Sequence, residues 1–347
     1  MALSNTYSFA VVRDDIIREA MLNIGAIGEA EVPTAQEVTD CARKLNMLVK
    51  QWMGRQDFAP GLKMWTRKRS DLFLSSTINQ YYLGPNGPIA NASNWAAGVT
   101  AGTSQQNYLQ CQTTASTAAG SAVLTVGAAN VANFTASDFV VVQLANGDIF
   151  SSTVSTIGAS TVTLNAVIPT GNTVGSGAYV FNYTTVGQRP LEIETCLLRD
   201  INANDTPMDS MTLMEYEQLP SKTQPSNTAD PIKFYYESQF ATGTNVTGPG
   251  LFFIDCYGAQ DVTKHIHIVA LWPVMDFNNP GDNPQYPQQW FRALSWGLSK
   301  EIAPMFDATD EWGAVEEGNL KDALAMAREP DSETSPLFFT VKQEGYG

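Results

Sequence analysis

A chain of 347 residues, 44% of them apolar, can bury a substantial core, and none of its apolar runs reaches the roughly 20 residues that span a bilayer. Its 35 acids outweigh 20 Lys and Arg for a net charge of −15, the reverse of the excess by which proteins grip nucleic acid through counterion release. An acidic surface that DNA slides past without sticking stays open, and no membrane partner is expected. Four widely separated cysteines, Cys41, Cys111, Cys196 and Cys256, fit reduced thiols better than a disulfide framework or a zinc site.

Residues 1–6 lack the basic and apolar segments of a signal peptide, so none is expected. Val12, Ile16, Ala20 and Ile24 then recur at a spacing of four, with Arg13, Asp14, Arg18 and Glu19 opposite, which predicts an amphipathic helix closed near Gly25. Thr34 and Glu37 have the spacing of a capping box, and the helix they open carries Val38, Cys41, Ala42, Leu45, Val49 and Trp52 on one face. So short a connection predicts that the two helices pack together.

The composition changes abruptly after Arg69. Residues 70–188 contain no Lys or Arg and only three acids, Asp71, Asp138 and Asp148. Alternating runs at 122–126, 139–144, 149–154 and 161–164 read as strands. Asn146-Gly147 between two of them signals a two-residue hairpin turn. After Arg189 charged strands return, at 191–199, 231–237, 250–257 and 265–272, with a short helical turn near Met214. Two more helices follow, one with Trp290, Leu294, Leu298 and Ile302 stopped near Pro304, the other with Trp312, Val315, Leu320, Leu324 and Ala327 stopped at Pro330.

The expected fold is therefore α+β, with a small α-helical bundle from the N- and C-terminal segments, an antiparallel β region and an inserted all-β, sandwich-like domain. The boundaries are 1–87 and 185–329 for the core, 88–184 for the insert and 330–347 for an extended tail.

The chain offers little for catalysis. It has no Gly-x-Ser-x-Gly elbow, no P-loop, no Gly-x-Gly-x-x-Gly and no His-Glu-x-x-His, so no catalytic residue, cofactor or metal is expected. Its only histidines, His265 and His267, share one strand face, a geometry that could hold a metal. No third ligand recurs at short spacing, and the expectation is a solvent-facing pair. Glu192 with Glu194, and Glu316 with Glu317, read as solvated faces in preference to catalytic carboxylates. The one basic cluster, Arg67, Lys68 and Arg69, reads either as a charged strand edge that resists aggregation or as a contact for DNA or a neighbouring subunit. Trp52, Trp65, Trp290 and Trp296 read as core.

Three stretches carry a resemblance. The first runs Ile16-Ile17-Arg18-Glu19-Ala20 to Ile24-Gly25-Ala26-Ile27-Gly28-Glu29, and the second places Asp40, Leu45, Asn46 and Trp52 along one helix. The third runs from Tyr286-Pro287 through Trp290, Ala293, Leu294 and Leu298 to Pro304. In order and spacing these resemble the head-to-tail adaptor (tail accessory factor) proteins of short-tailed bacteriophages, over about residues 1–84 and 189–328. Arg189-Pro190-Leu191, Glu215-Tyr216 and 231–236 are similar to strands of larger adaptors and tail tubular proteins. The insert at 88–184 is a departure from minimal adaptors. The resemblance implies a non-enzymatic virion subunit, assembled in the host bacterial cytoplasm, that forms a twelvefold ring beneath the portal. Such a ring extends the DNA channel and joins the tail nozzle. It also implies a tail that docks on the portal, for which Leu337, Phe338 and Phe339 are the anchors. The alternative is a tail-fibre or receptor-binding component whose uncharged insert takes a glycan or a fibre.

Overall fold

The computed structural model describes residues 11–54, 66–84, 95–98, 107–238, 250–285, 287–310 and 312–328. Trp65, Leu337, Phe338, Phe339 and the whole 330–347 segment lie outside the described residues, as does the start of the insert. The chain divides into two compact units, Met1–Trp65 together with Val274–Gly347, and Thr66–Pro273.

The first unit is helical: α1 (Arg13–Asn23), α2 (Ala35–Gly54), α3 (Gln289–Ile302) and α4 (Ala314–Arg328). The Thr34–Glu37 box forms as the sequence predicts: Thr34 N donates to Glu37 Oε2 at 2.7 Å and Glu37 N to Thr34 Oγ1 at 3.3 Å. One core gathers Ile16, Ile17 and Met21 of α1, Leu45 and Val49 of α2, and Trp290, Leu294 and Leu298 of α3. Segments from the two ends of the chain thus bury their apolar faces against each other. Two side chains depart from expectation. Arg13 is buried, because its guanidinium pairs with Asp14 at 2.7 Å and donates to Asn278 O at 3.2 Å. Val315 is exposed, because five residues carry it about 140° around the helix from the buried Leu320.

The second unit is built of strands. In chain order these are β1 (Arg67–Phe73), β2 (Gln80–Leu83), β3 (Trp95–Gly98), β4 (Leu109–Gln112), β5 (Val123–Thr125), β6 (Phe139–Gln143), β7 (Ile149–Ile157), β8 (Thr161–Leu164) and β9 (Tyr179–Tyr183). There follow β10 (Thr185–Val186), β11 (Glu192–Arg199), β12 (Asp205–Ser210), β13 (Thr228–Ala229), β14 (Lys233–Glu237), β15 (Gly250–Ile254), β16 (Gly258–Ala259) and β17 (His265–Leu271). A nine-stranded sheet runs β10-β3-β1-β17-β11-β12-β14-β15-β2, antiparallel except where β12 pairs with β14. Leu72, Cys196, Ile266 and Ile268 from its centre share a core with Tyr81, Phe234, Phe252 and Ile254 from its β14–β15–β2 end, so the sheet curls over one of its own faces. Where the unit begins and ends, Trp272 N donates to Thr66 O at 2.8 Å.

Within 107–184 the chain forms one six-stranded sheet, β4-β9-β6-β7-β8-β5, with a short helix, Ala128–Val131, while β3 joins the nine-stranded sheet. The six-stranded sheet too curls: beyond β4, Thr114 N donates to Thr125 O at the far edge at 2.8 Å, and Val140, Val142, Val154, Val162 and Val180 fill the interior. The Asn146-Gly147 turn is longer than the sequence suggests. Leu144 N donates to Asp148 O and Gly147 N to Leu144 O, leaving a three-residue loop with Gly147 at φ 83°. The loop closes on a left-handed residue, a position open to glycine.

Candidate functional site

The histidines do not face solvent. Strand alternation does put both on one face of β17, with Ile266 and Ile268 on the other, but His265 is 0% and His267 8% exposed. The correction has a plain cause: the insert covers that face. Phe73 of β1 stacks on Phe181 of β9 at 4.6 Å and meets Tyr108 edge-on at 5.4 Å, and Val141 and Tyr183 complete the cluster.

Within this apolar seam lies a polar network. Register sets Asp71 of β1 opposite His267 of β17, and His267 opposite Leu197 of β11. Asp71 Oδ1 is 2.8 Å from His267 Nδ1 and 3.5 Å from His265 Nε2, and Asn107 Nδ2 donates to Asp71 Oδ2 at 2.8 Å. A carboxylate only accepts, so His267 Nδ1 carries the proton; Arg199 Nη1, 3.4 Å from that nitrogen, is a contact and not a second bond. Arg199 is committed to Asp205 through paired bonds of 2.7 and 2.8 Å. Those bonds hold the Asp205 carboxyl below its ordinary range and raise the guanidinium.

His265 closes the network against the insert, its Nε2 lying 3.1 Å from Tyr108 Oη. Burial pushes its pKa down to about 4, against the pull of Asp71, and Arg199 and His267 add to the depression. The ring is therefore neutral near pH 7, and its approach to Asp71 is no ion pair. Its Nδ1 finds no partner among the described residues. Burial likewise raises the Tyr108 phenol, with Asp71 adding to it. With Asp71 and both rings buried and the Arg199–Asp205 pair at the solvent edge, this network makes a fastener between two sheets. Among the described residues no trio of His, Cys, Asp or Glu is disposed to hold a metal.

Asp138 and Asp148 are used in the same inward way. Asp138 Oδ2 accepts from Thr135 N at 2.6 Å and Asn182 Nδ2 at 3.2 Å. Asp148 accepts from Ser75 Oγ, from Thr77 Oγ1 at 3.1 Å and from Ile149 N at 2.8 Å, tying the β6–β7 turn to the segment after β1. All three acids of residues 70–188 are thus internal acceptors.

At the basic cluster β1 is paired, among the described residues, on one side only, to β17, because β3 reaches no further than Asp71 and Leu72. Further along, β1 lies inside the nine-stranded sheet, with Asp71 and Leu72 between β17 and β3. Arg67 grips Glu194 through bonds of 2.6 and 3.2 Å, while Lys68 and Arg69 are exposed and alternate between faces. Glu192 and Glu194 are no carboxylate pair, because β11 bulges between Ile193 and Thr195 and Glu194 is taken by Arg67. Glu316 and Glu317 also have separate tasks: one accepts from Gly313 N at 2.9 Å, the other from Lys300 Nζ at 2.8 Å and Trp312 Nε1 at 3.2 Å.

The three helical stretches behind the adaptor resemblance lie in the helical unit, while Arg189-Pro190-Leu191, Glu215-Tyr216 and 231–236 lie in the β unit. Asn46 accepts from Phe277 N at 2.8 Å through Oδ1 and donates to Phe277 O at 3.2 Å through Nδ2. Trp52 and Trp290 lie in the core with ring centroids 6.3 Å apart. Among the described residues no helix is long and apolar enough to cross a membrane. Comparison with protein-family models finds no match, and comparison with the curated proteins finds none either.

Proposed function

We propose that this chain is a structural, non-enzymatic virion protein of a short-tailed bacteriophage, a head-to-tail adaptor subunit. It assembles with its own copies into a ring, twelvefold by resemblance, that docks beneath the portal, extends the DNA channel and joins the tail nozzle. DNA passes through without being held, consistent with a net charge of −15. The observation that carries this reading is the closed helical body. Asn46, Trp52, Trp290, Leu294 and Leu298 stand at motif positions, and they join the two chain ends around one core. Thr66–Pro273 is inserted in sequence between the helices, and the insert at 88–184 meets neighbours such as tail fibres. Lys68 and Arg69 face DNA or an adjacent subunit, with Arg67 anchored beside them. Leu337, Phe338 and Phe339 anchor the tail on the portal.

The test mixes the purified full chain with portal rings encoded by the same genome and images them by negative-stain electron microscopy. A second tier of density beneath the portal is expected. Portal rings that stay bare at saturating protein would overturn the assignment.

A further inference from the structure

Apart from any place in a ring, the β unit carries a cleft of about 600 Å³ at the rim of the insert. Its lining includes Gln110 and Gln112 of β4, Asn130 of the short helix Ala128–Val131, Tyr179 of β9 and Asn202 of the turn after β11. Register explains the convergence. Gln112 pairs with Tyr179 and Gln110 with Phe181, so two carboxamides stand beside a phenol ring on one face. Phe181, packed on Phe73, holds that face against the nine-stranded sheet, whose β11–β12 turn supplies Asn202.

Among the described residues nothing bonds the side-chain amides of Gln110, Gln112 or Asn202, and no lining residue carries a charge. Asn130 spends its amide nitrogen on Val126 O at 2.9 Å and keeps its carbonyl oxygen. A carboxamide is donor and acceptor at once, as is a hydroxyl, so each can satisfy a sugar hydroxyl in either sense. A tyrosine ring offers a flat apolar face to the C–H side of a pyranose. A phosphate, carboxylate or ammonium ligand would shed hydration here and gain no opposite charge.

We propose that this cleft binds an uncharged oligosaccharide. The ligand's hydroxyls bond Gln110, Gln112, Asn202 and the Asn130 carbonyl, and one sugar ring lies along Tyr179. The inference stands on a surface shared by the insert and the β11–β12 turn and is independent of the ring assignment, which portal imaging reads separately.

The full chain is applied to an array of neutral glucose-, galactose- and N-acetylglucosamine-containing oligosaccharides beside sialylated and sulfated ones, and the retained sugars are titrated. Retention of neutral sugars is expected, with an affinity that changes less than about twofold between about 0.05 and about 0.5 M salt. Gln112→Ala and Asn202→Ala, both at exposed positions, should each weaken binding about fivefold or more while leaving the melting temperature unchanged. Three results would each overturn the proposal: no neutral sugar retained, retention of only the acidic sugars with steep salt dependence, or full affinity in both variants.

Discussion

Gly297 of α3 lies so close to Trp52 of α2 that a Cβ built on it would sit 2.7 Å from both Cη2 and Cζ2 of the indole, and 3.1 Å from Leu48 Cδ2. Alanine at this position gains about 1 kcal/mol of helix propensity but overpacks the core at a cost of about 1–3 kcal/mol. The indole is wedged against Trp290 and has little room to retreat, so the overpacking wins. Gly297→Ala should lower the urea midpoint without changing the slope, and Trp52→Phe in the same chain should recover part of the loss. A stabilised Gly297→Ala would show that the indole moves aside.

Acid should weaken the β unit through His265. Its folded pKa of about 4 lies below the ordinary 6.5, so the unfolded chain binds more protons between those values. Stability from this group is therefore whole above pH 6.5 and falls as the pH drops toward 4, by about 3 kcal/mol in all. This window lies above the range of the depressed carboxyls, such as Asp205, whose loss comes in stronger acid. Denaturant melts at pH 7 and pH 4.5 read the change, and His265→Phe, which keeps an aromatic ring beside Phe73 and Tyr108, should flatten it. An equally steep wild type and variant would assign the loss elsewhere.

Asp148→Ala strips the acceptor from Ser75, Thr77 and Ile149 at one stroke. The expected cost is about 1–3 kcal/mol, concentrated at the β6–β7 turn. Hydrogen exchange should quicken at the amide of Ile149, which donates to the carboxylate, and at that of Thr77, whose acceptor Ser75 Oγ loses its anchor, while β17 keeps its protection. Unchanged exchange at both amides would mean that the turn is held without the carboxylate.

The three basic residues of β1 should separate into two classes. Arg67→Ala breaks the paired bonds to Glu194 and should cost about 1 kcal/mol, since both groups keep some contact with water. Lys68→Ala combined with Arg69→Ala should leave stability within about 0.5 kcal/mol and weaken assembly with the portal at low salt. Analytical ultracentrifugation reads the second effect; assembly unaltered at low salt would remove the contact role.

Removing residues 330–347, or replacing Leu337, Phe338 and Phe339 with serine, should weaken portal docking while the melting temperature of the remaining chain holds. Copurification with the portal at wild-type yield would dismiss the segment as an anchor.

Local features were legible in the sequence because their causes are local. Thr34 and Glu37 are three residues apart and start α2 by themselves, and the alternation at 265–271 is a strand whatever surrounds it. Register with distant strands was not legible. Asp71 and His267 are 196 residues apart, and Tyr108 and His265 are 157 apart. Polar–apolar alternation implies one wet face until a second layer covers it, and no periodicity announces that layer. One clue was present: an acid beside Phe73, within a stretch almost bare of charge, marks a place where a carboxylate has a specific partner. The Val315 error has the opposite origin, a spacing of five taken as part of a helical face when the turn rotates it outward.

The bond from Trp272 N to Thr66 O fixes how the chain can fold. α1 and α2 precede all of Thr66–Pro273 and α3 follows it, so the helices alone would have to find each other across a very long loop. Once β1 and β17 zip together, that search collapses to the short arms on either side, and the strand-built part acts as a splint for the helices. Refolding should then show strand protection before helix docking. Lineages could lengthen or exchange the splinted material freely, provided its two ends still emerge side by side.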